Sequence, residues 1–286
     1  MIIADCRLEP TLIPLQSAIC NLQSAIIMKD YLRPHLYTLP IHRAMLRAVE
    51  ARLFAELAPD LPEPIVDVGS GDGTFVQIAF PGKQVFGIDP IHADTHEAQR
   101  RGVYAGLSVA NGKALPFPDD HFASAISNCV LEHVVPLDET LRETARVLRP
   151  GGQFVTSVVG HRFPQQLLGT WLLNRLGLDG SRYGRWFNKL SYHFNTLSPQ
   201  DWTARFARAG LEVVSYRPYF SDAALKLFDF SHYYGAPSLI TRKLTGRWLL
   251  FPALTPNLLW EPILRQIYTA PPGEDGPYYF FICRKP

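Results

Sequence analysis

Between Ala44 and Leu57 the apolar residues fall at helical spacing, at Met45, Val49, Leu53 and Leu57, and Pro59, Pro62 and Pro64 then end the helix. Ile65 to Val68 is a short apolar run that closes on glycines, the pattern of a buried parallel strand turning into a helix near Thr74. Gln84 to Ile88 is the next such run. It ends at Asp89-Pro90 before a polar helical stretch through Arg101. Val103 to Leu107 is a weaker third strand candidate, whereas Phe122 to Ser127 and Gly152 to Val159 are strong fourth and fifth ones. Between the last two, Leu137, Leu141, Ala145 and Leu148 form a helical stripe that stops at Arg149-Pro150-Gly151-Gly152. Strands and helices alternating at this spacing predict an α/β fold with a mostly parallel sheet covered on both faces.

The alternation breaks over residues 161–196, which are rich in aromatics and arginine (Phe163, Trp171, Arg175, Tyr183, Trp186, Phe187) and read as an inserted cap. Ser198 then has the features of an N-cap, with Pro199 at the first helical position and Asp201 at the third, and the helix runs to Gly210. Leu211 to Tyr216 and Tyr278 to Cys283 are the last strand candidates. The stretch between them, residues 219–274, is too long for a loop and carries its own structure. The expected organisation is a non-core extension over 1–27, a cofactor-binding core over 28–160, a cap over 161–196, a core continuation over 197–218, a second insertion over 219–274 and a last core strand over 275–286.

In the extension, Leu15-Gln16-Ser17-Ala18-Ile19 recurs as Leu22-Gln23-Ser24-Ala25-Ile26. It has neither the pattern of a signal peptide nor that of a membrane span. Two readings stand: a short amphipathic arm, or translated repeat DNA ahead of a true start at Met28. Composition narrows the rest. The 286 residues are 47% hydrophobic and 19% charged, as in an enzyme-sized globular chain, and a net charge of +2 gives no nucleic-acid footprint. Cys6, Cys20, Cys129 and Cys283 form no Cys-x-x-Cys pair, which argues against a zinc site or disulfide framework and for a reducing, cytoplasmic setting.

The chemistry concentrates in Asp67-Val68-Gly69-Ser70-Gly71-Asp72-Gly73. Its glycines permit positive φ and close approach to a ligand, and the helix that follows offers amide groups to a carboxylate. A glycine-rich turn without a cofactor is the competing reading. Asp89, sixteen positions after Gly73, is placed to accept from both hydroxyls of a ribose, unless it serves only as a turn residue before Pro90. A nicotinamide fingerprint would want a glycine where Thr74 stands, so the spacing favours a ligand without pyrophosphate.

Read together, the chain resembles a class I S-adenosylmethionine-dependent methyltransferase of the group that includes the ubiquinone and menaquinone methyltransferases. Asp67 to Gly73 is similar to the first motif of that family, Gly87-Ile88-Asp89 to the second, Asn111 to Asp119 to the third, Ser127 to His133 to the fourth, and Leu148 to Gly152 to the last. The likeness covers residues 45–160 and, less fully, 197–217. It implies a Rossmann-like seven-stranded sheet with an antiparallel last strand, and S-adenosyl-L-methionine as cofactor. It further implies that Asp67, Gly69, Ser70, Gly71 and Gly73 lie at the methionine part, Asp89 and Pro90 at the ribose, Asn111 and Gly112 at the adenine, and Asn128 and Cys129 at the mouth of methyl transfer. Asn111 departs from the aspartate common among relatives and would accept more weakly from the adenine amino group.

Glu132-His133 invites a reading as an acid/base pair, or as a plain helix start. A metal reading is disfavoured, because a related Glu-x-x-Glu-His pattern has Cys129 in its first position here and hard cations prefer oxygen. His193, after the aromatic cap, is the second base candidate, on the ground that histidine ordinarily titrates near neutrality; a structural histidine is the rival reading. Residues 246–266 are apolar, with Arg242, Lys243, Arg247 and Arg265 around them. A buried cap interior, a greasy substrate tunnel, a dimer face and peripheral contact with a bilayer surface are the readings they allow. The expected activity is methyl transfer to an O or C nucleophile of a hydrophobic or aromatic small molecule or lipid-linked intermediate. The alternatives are a nucleotide-dependent oxidoreductase and a cofactor-binding inactive partner subunit.

Overall fold

The computed structural model describes residues 30–249, 251, 256–270 and 275–286; the proposed extension and Met28 lie outside the described residues. Seven strands form one sheet in the order β3-β2-β1-β4-β5-β7-β6: β1 (Ile65–Val68), β2 (Val85–Asp89), β3 (Gly106–Val109), β4 (Phe122–Asn128), β5 (Leu148–Val159), β6 (Glu212–Tyr219) and β7 (Tyr278–Arg284). β1 pairs in parallel with β2 and β4, and β4 with β5, while β7 runs antiparallel to both β5 and β6. The expected Rossmann-like sheet is the one that folds. Strand order reverses between β1 and β4, and ligands of such sheets bind beyond the strand ends at that reversal.

The helices are α1 (Leu32–Leu36), α2 (Ile41–Leu57), α3 (Thr74–Ala79), α4 (His92–Arg101), α5 (Leu137–Val147), α6 (Phe163–Gln166), α7 (Leu168–Arg175), α8 (Ser181–Leu190), α9 (Pro199–Arg208), α10 (Asp222–Gly235), α11 (Pro237–Thr245) and α12 (Glu261–Thr269). Alternation along the strands separates two cores. Ile65, Val155, Val159, Tyr278 and Phe280 face the layer built from α2, α10 and α12, whereas Val66, Phe154, Val158, Tyr279 and Phe281 face α5 and α9. Burying each such large side chain contributes about 1.5–3 kcal/mol. α9 starts as its sequence predicts, with Ser198 accepting from the Asp201 N–H at 3.2 Å and Pro199 in its first turn.

Several boundaries move: β5 begins at Leu148 rather than Gly152, so Leu148 belongs to the strand and not to the helical stripe, and two further shifts have local physical reasons. β3 begins at Gly106 rather than Val103, because α4 ends at Gly102 in the left-handed region (φ 66°) and the next residues return the chain to the sheet. α2 begins at Ile41 rather than Ala44, where His42 packs its ring against Phe228 and His232 of α10. The two insertions also meet. Asp229 of α10 accepts from the Gly169 N–H at 2.9 Å and from the Tyr183 hydroxyl at 2.6 Å, fastening α7 and α8 to α10.

Residues 246–266 are neither wholly buried nor wholly surface. Trp248 turns inward, Leu264 is buried, and Phe251 and Leu259 stand 70% and 82% exposed. Residues 250 and 252–255 of that segment lie outside the described residues. Among the described residues no helix is long and apolar enough to cross a membrane.

Candidate active site

The loop after β1 is anchored from below. Gly69 and Ser70 donate their N–H groups to the Ile88 carbonyl at 2.8 and 2.9 Å, and Asp89 Oδ2 accepts from the Gly71 N–H at 2.9 Å. Gly69, Gly71 and Gly73 all have positive φ, but for different neighbours. A Cβ on Gly69 would run into Val130, and one on Gly73 would press on Val103 and Tyr104; a Cβ on Gly71 would meet open space. Only Gly71 is therefore explained by turn geometry alone.

Above this loop lies a cleft of about 240 Å³ lined by Asp67, Gly69, Ser70, Gly71, Asp89, Asn128 and Cys129, together with His35, Arg43 and Arg47 from the N-terminal helices. Arg242 and Trp248 of the second insertion close its far side. The Trp248 ring has the Arg43 guanidinium 4.8 Å from its centroid and that of Arg242 at 4.6 Å. Asp67 is buried, and burial raises its pKa to about 7 against the opposing hydrogen bond from the Tyr104 hydroxyl at 2.8 Å, with Asp89 adding repulsion. Ser70 Oγ is buried without a hydrogen-bond partner. A ligand with a donor or acceptor for the unpartnered Ser70 Oγ, an ammonium for Asp67 and vicinal hydroxyls for Asp89 fits this lining.

A second cavity, about 370 Å³, adjoins the first across Arg43, Arg47 and Cys129. Its apolar wall comes from Leu46, Val159, Phe187, Leu190 and Phe228, and its polar wall from His42, Glu132, His133, His193 and His232. Between the cavities sits a buried network. Glu50 accepts from Arg47 Nη1 at 2.6 Å, Asn128 Nδ2 at 3.0 Å, Cys129 Sγ at 2.9 Å and the Tyr219 hydroxyl at 3.2 Å. Cys129 holds φ 50°, which turns the chain from β4 toward the second cavity.

His133 and His193, the expected base candidates, do come together: their ring centroids are 5.2 Å apart. His133 Nδ1 donates to the Tyr192 carbonyl at 3.0 Å, leaving Nε2 4.0 Å from Glu132 Oε1. The expectation of a near-neutral His193 is corrected, however. Burial, and secondarily the neighbouring His133, pulls its pKa down to about 3, so it is neutral but a feeble base. Glu132 behaves in the opposite way: burial pushes it up to about 8, with Glu50 adding repulsion while Arg47 and Cys129 oppose the shift.

The remaining expected residues are placed differently. Asn111 is exposed, its Oδ1 accepting from the Lys113 N–H at 3.2 Å, and Gly112 packs where a Cβ would strike Thr140. None of Asn111, Gly112, Pro90 and Gly73 lines the first cleft. Arg43, Arg47 and Glu50 went unread in the sequence, because the apolar stripe of α2 identifies only its core face. Their spacing of i, i+4, i+7 was the available signal of a second, polar face. Among the described residues no group of three His, Cys, Asp or Glu side chains gathers as a metal site.

Comparison with known proteins agrees with this geometry. Residues 66–156 match the family model of a methyltransferase domain, so the resemblance read from the motifs holds over that core. An uncharacterized methyltransferase of Mycobacterium leprae (strain Br4923) is 39% identical over 103 residues, which is 35% of this chain and 38% of that protein. The ubiquinone/menaquinone biosynthesis C-methyltransferase UbiE of Brucella canis is 27% identical over 192 residues, 62% of this chain and 71% of its own length. Among solved structures, the [4+2]-cyclase SpnF superposes with a TM-score of 0.54 at 19% identity, covering 96% of this chain and 94% of that one, a likeness of fold.

Proposed function

We propose that the chain is an S-adenosylmethionine-dependent methyltransferase acting on an O or C nucleophile of a hydrophobic or aromatic small molecule. The observation that carries this is the meeting of the two cavities at Arg43, Arg47 and Cys129: the cleft over the glycine loop and Asp89 shares these residues with an adjoining chamber that has an aromatic wall. The cofactor supplies an electrophilic sulfonium methyl. In this reading Asp67 receives the ammonium of the amino-acid part, Asp89 the ribose hydroxyls, and Arg43 the carboxylate, while Trp248 shuts the cleft against water. Phe187, Leu190 and Phe228 hold the apolar body of the acceptor, so positioning at the junction carries most of the rate.

The methyltransferase family match over 66–156 supports the cofactor, and the insertions set the acceptor. Residues 161–196 serve as its cap, and α10, α11 and Trp248 of the second insertion cover the two cavities. The exposed Leu244, Phe251 and Leu259 near Arg242, Lys243 and Arg247 suit contact with an anionic bilayer surface through which an apolar acceptor enters. Liposome flotation of the full chain with and without replacement of these three apolar residues by serine tests that contact; equal flotation of both contradicts it. For the activity itself, S-adenosylmethionine should raise the melting temperature where NADPH does not. A small-molecule cell extract should then release S-adenosylhomocysteine. Stabilisation by NADPH alone would mark an oxidoreductase instead.

A further inference from the structure

Glu132 stands out in the wall of the second cavity by its burial and its unpartnered oxygen. It is 1% exposed, its Oε2 has no hydrogen-bond partner, and it nevertheless forms part of the chamber wall. Its place is fixed by its backbone: the Glu132 carbonyl accepts from the Phe194 and Asn195 N–H groups at 2.8 and 3.1 Å. An orphaned carboxyl oxygen in a buried wall costs stability unless it has a partner in some working state.

We propose that Glu132 is the proton acceptor of the transfer step, that it takes the proton from an un-ionised phenolic or enolic hydroxyl of the acceptor, and that arrival of the sulfonium at the cavity junction converts it to carboxylate. This rests on the methyltransferase reading above. As the acceptor oxygen bonds to the sulfonium methyl, the carbon–sulfur bond breaks, sulfur keeps the electron pair, and the hydroxyl proton passes to Glu132. Charge balances, because the sulfonium cation and the carboxylate anion are both discharged.

The surroundings select Glu132 for this role. From α2, Arg47 favours its ionised form while Glu50 opposes it, and His42 and Arg43 lie further along the wall. Cys129 stands beside it at the end of β4, His133 follows it, and His193 and His232 complete the polar side. Tyr278 of β7, also in the wall, is itself held un-ionised well above its ordinary range by burial, with its neighbours Cys129, Glu50 and Glu132 adding to the effect. The histidines are all shifted downward by burial, so they stand neutral and do not compete for the proton. A carboxyl held protonated near neutral pH and discharged by a nearby cation is matched to accept a proton only when the methyl donor is present.

The test compares S-adenosylmethionine with S-adenosylhomocysteine, which differ only in the sulfonium methyl and the charge it carries with it, by calorimetry at pH 7.5 in buffers of different ionisation enthalpy. Proton release attributable to Asp67 is common to both ligands and cancels. The wild-type chain should release a larger fraction of a proton with S-adenosylmethionine, and the excess should vanish in Glu132→Gln with both affinities within about 3-fold of wild type. With cell extract as acceptor, the same variant should form S-adenosylhomocysteine at least about 100-fold more slowly at unchanged KM for S-adenosylmethionine. The wild-type excess needs no variant, and Glu132→Asp should retain part of it. Equal proton release by the two ligands, or an excess that survives in Glu132→Gln, overturns the proposal. Failure of both ligands to bind overturns the methyltransferase reading as well.

Discussion

Asp89 Oδ2 accepts the Gly71 N–H at 2.9 Å while its other oxygen accepts the Ile91 N–H at 2.8 Å, so one carboxylate joins the end of β2 to the loop after β1. Each oxygen keeps a lone pair toward the cleft. Asp89→Ala removes both the latch and the ribose acceptor. Two charge-assisted hydrogen bonds at about 1.5–3 kcal/mol each predict a loss of roughly 100-fold or more in S-adenosylmethionine affinity by calorimetry. Unchanged affinity would place the ribose elsewhere.

Glu50 is a stability residue before it is anything else. It is wholly buried and accepts from Arg47, Asn128, Cys129 and Tyr219. Glu50→Ala leaves the Arg47 cation without its carboxylate and should cost about 3–5 kcal/mol in urea denaturation without ligand. Glu50→Gln keeps the shape and should cost less. Equal stability of wild type and Glu50→Ala would mean that the network is not closed.

His193 makes stability depend on pH. Its folded pKa, about 3, lies below the ordinary histidine value of 6.5, so the unfolded chain binds the extra proton first. Its contribution is constant above 6.5 and is lost as the pH falls toward 3, at a limit of about 1.4 kcal/mol per pH unit. His193→Gln should therefore lose less stability than wild type between pH 6.5 and 4, as followed by denaturant midpoints. Parallel pH profiles would show that His193 is not buried as neutral imidazole.

We expect Trp248 to contribute to retention of the cofactor rather than to folding. Two stacked guanidiniums at about 0.5–2 kcal/mol each predict roughly tenfold faster release of S-adenosylhomocysteine from Trp248→Ala, with little change in melting temperature. Stopped-flow dissociation reads this directly; an unchanged rate would remove Trp248 from the cover of the cleft.

The parts of the site that follow one another along the chain were legible: the strand-loop-helix at Asp67 to Gly73, Asp89 sixteen residues on, and Asn128-Cys129 at the next strand end. Local patterning sets all of these. What escaped depends on packing at a distance. Arg43, Arg47 and Glu50 sit on a helix whose apolar stripe drew attention to its other face, and Trp248 comes from an insertion with no periodic signal of its own. The ionisation of Glu132 and His193 was also invisible, since it follows from burial under the cap, and sequence spacing carries no measure of burial. Asn111 and Gly112 show the reverse: residues matching a motif whose side-chain amide and missing Cβ are used within the protein, in a local turn and against Thr140.

The central claim is that the two joined cavities transfer a methyl group. Incubation of the chain with methyl-labelled S-adenosylmethionine and a small-molecule cell extract tests it most directly, with Asp89→Ala in parallel. We expect label in an organic-extractable product, equimolar S-adenosylhomocysteine, and neither from the variant. Label that remains entirely in S-adenosylmethionine, despite saturation of the wild-type chain with that cofactor and extracts that sustain control methyltransferases, would contradict it.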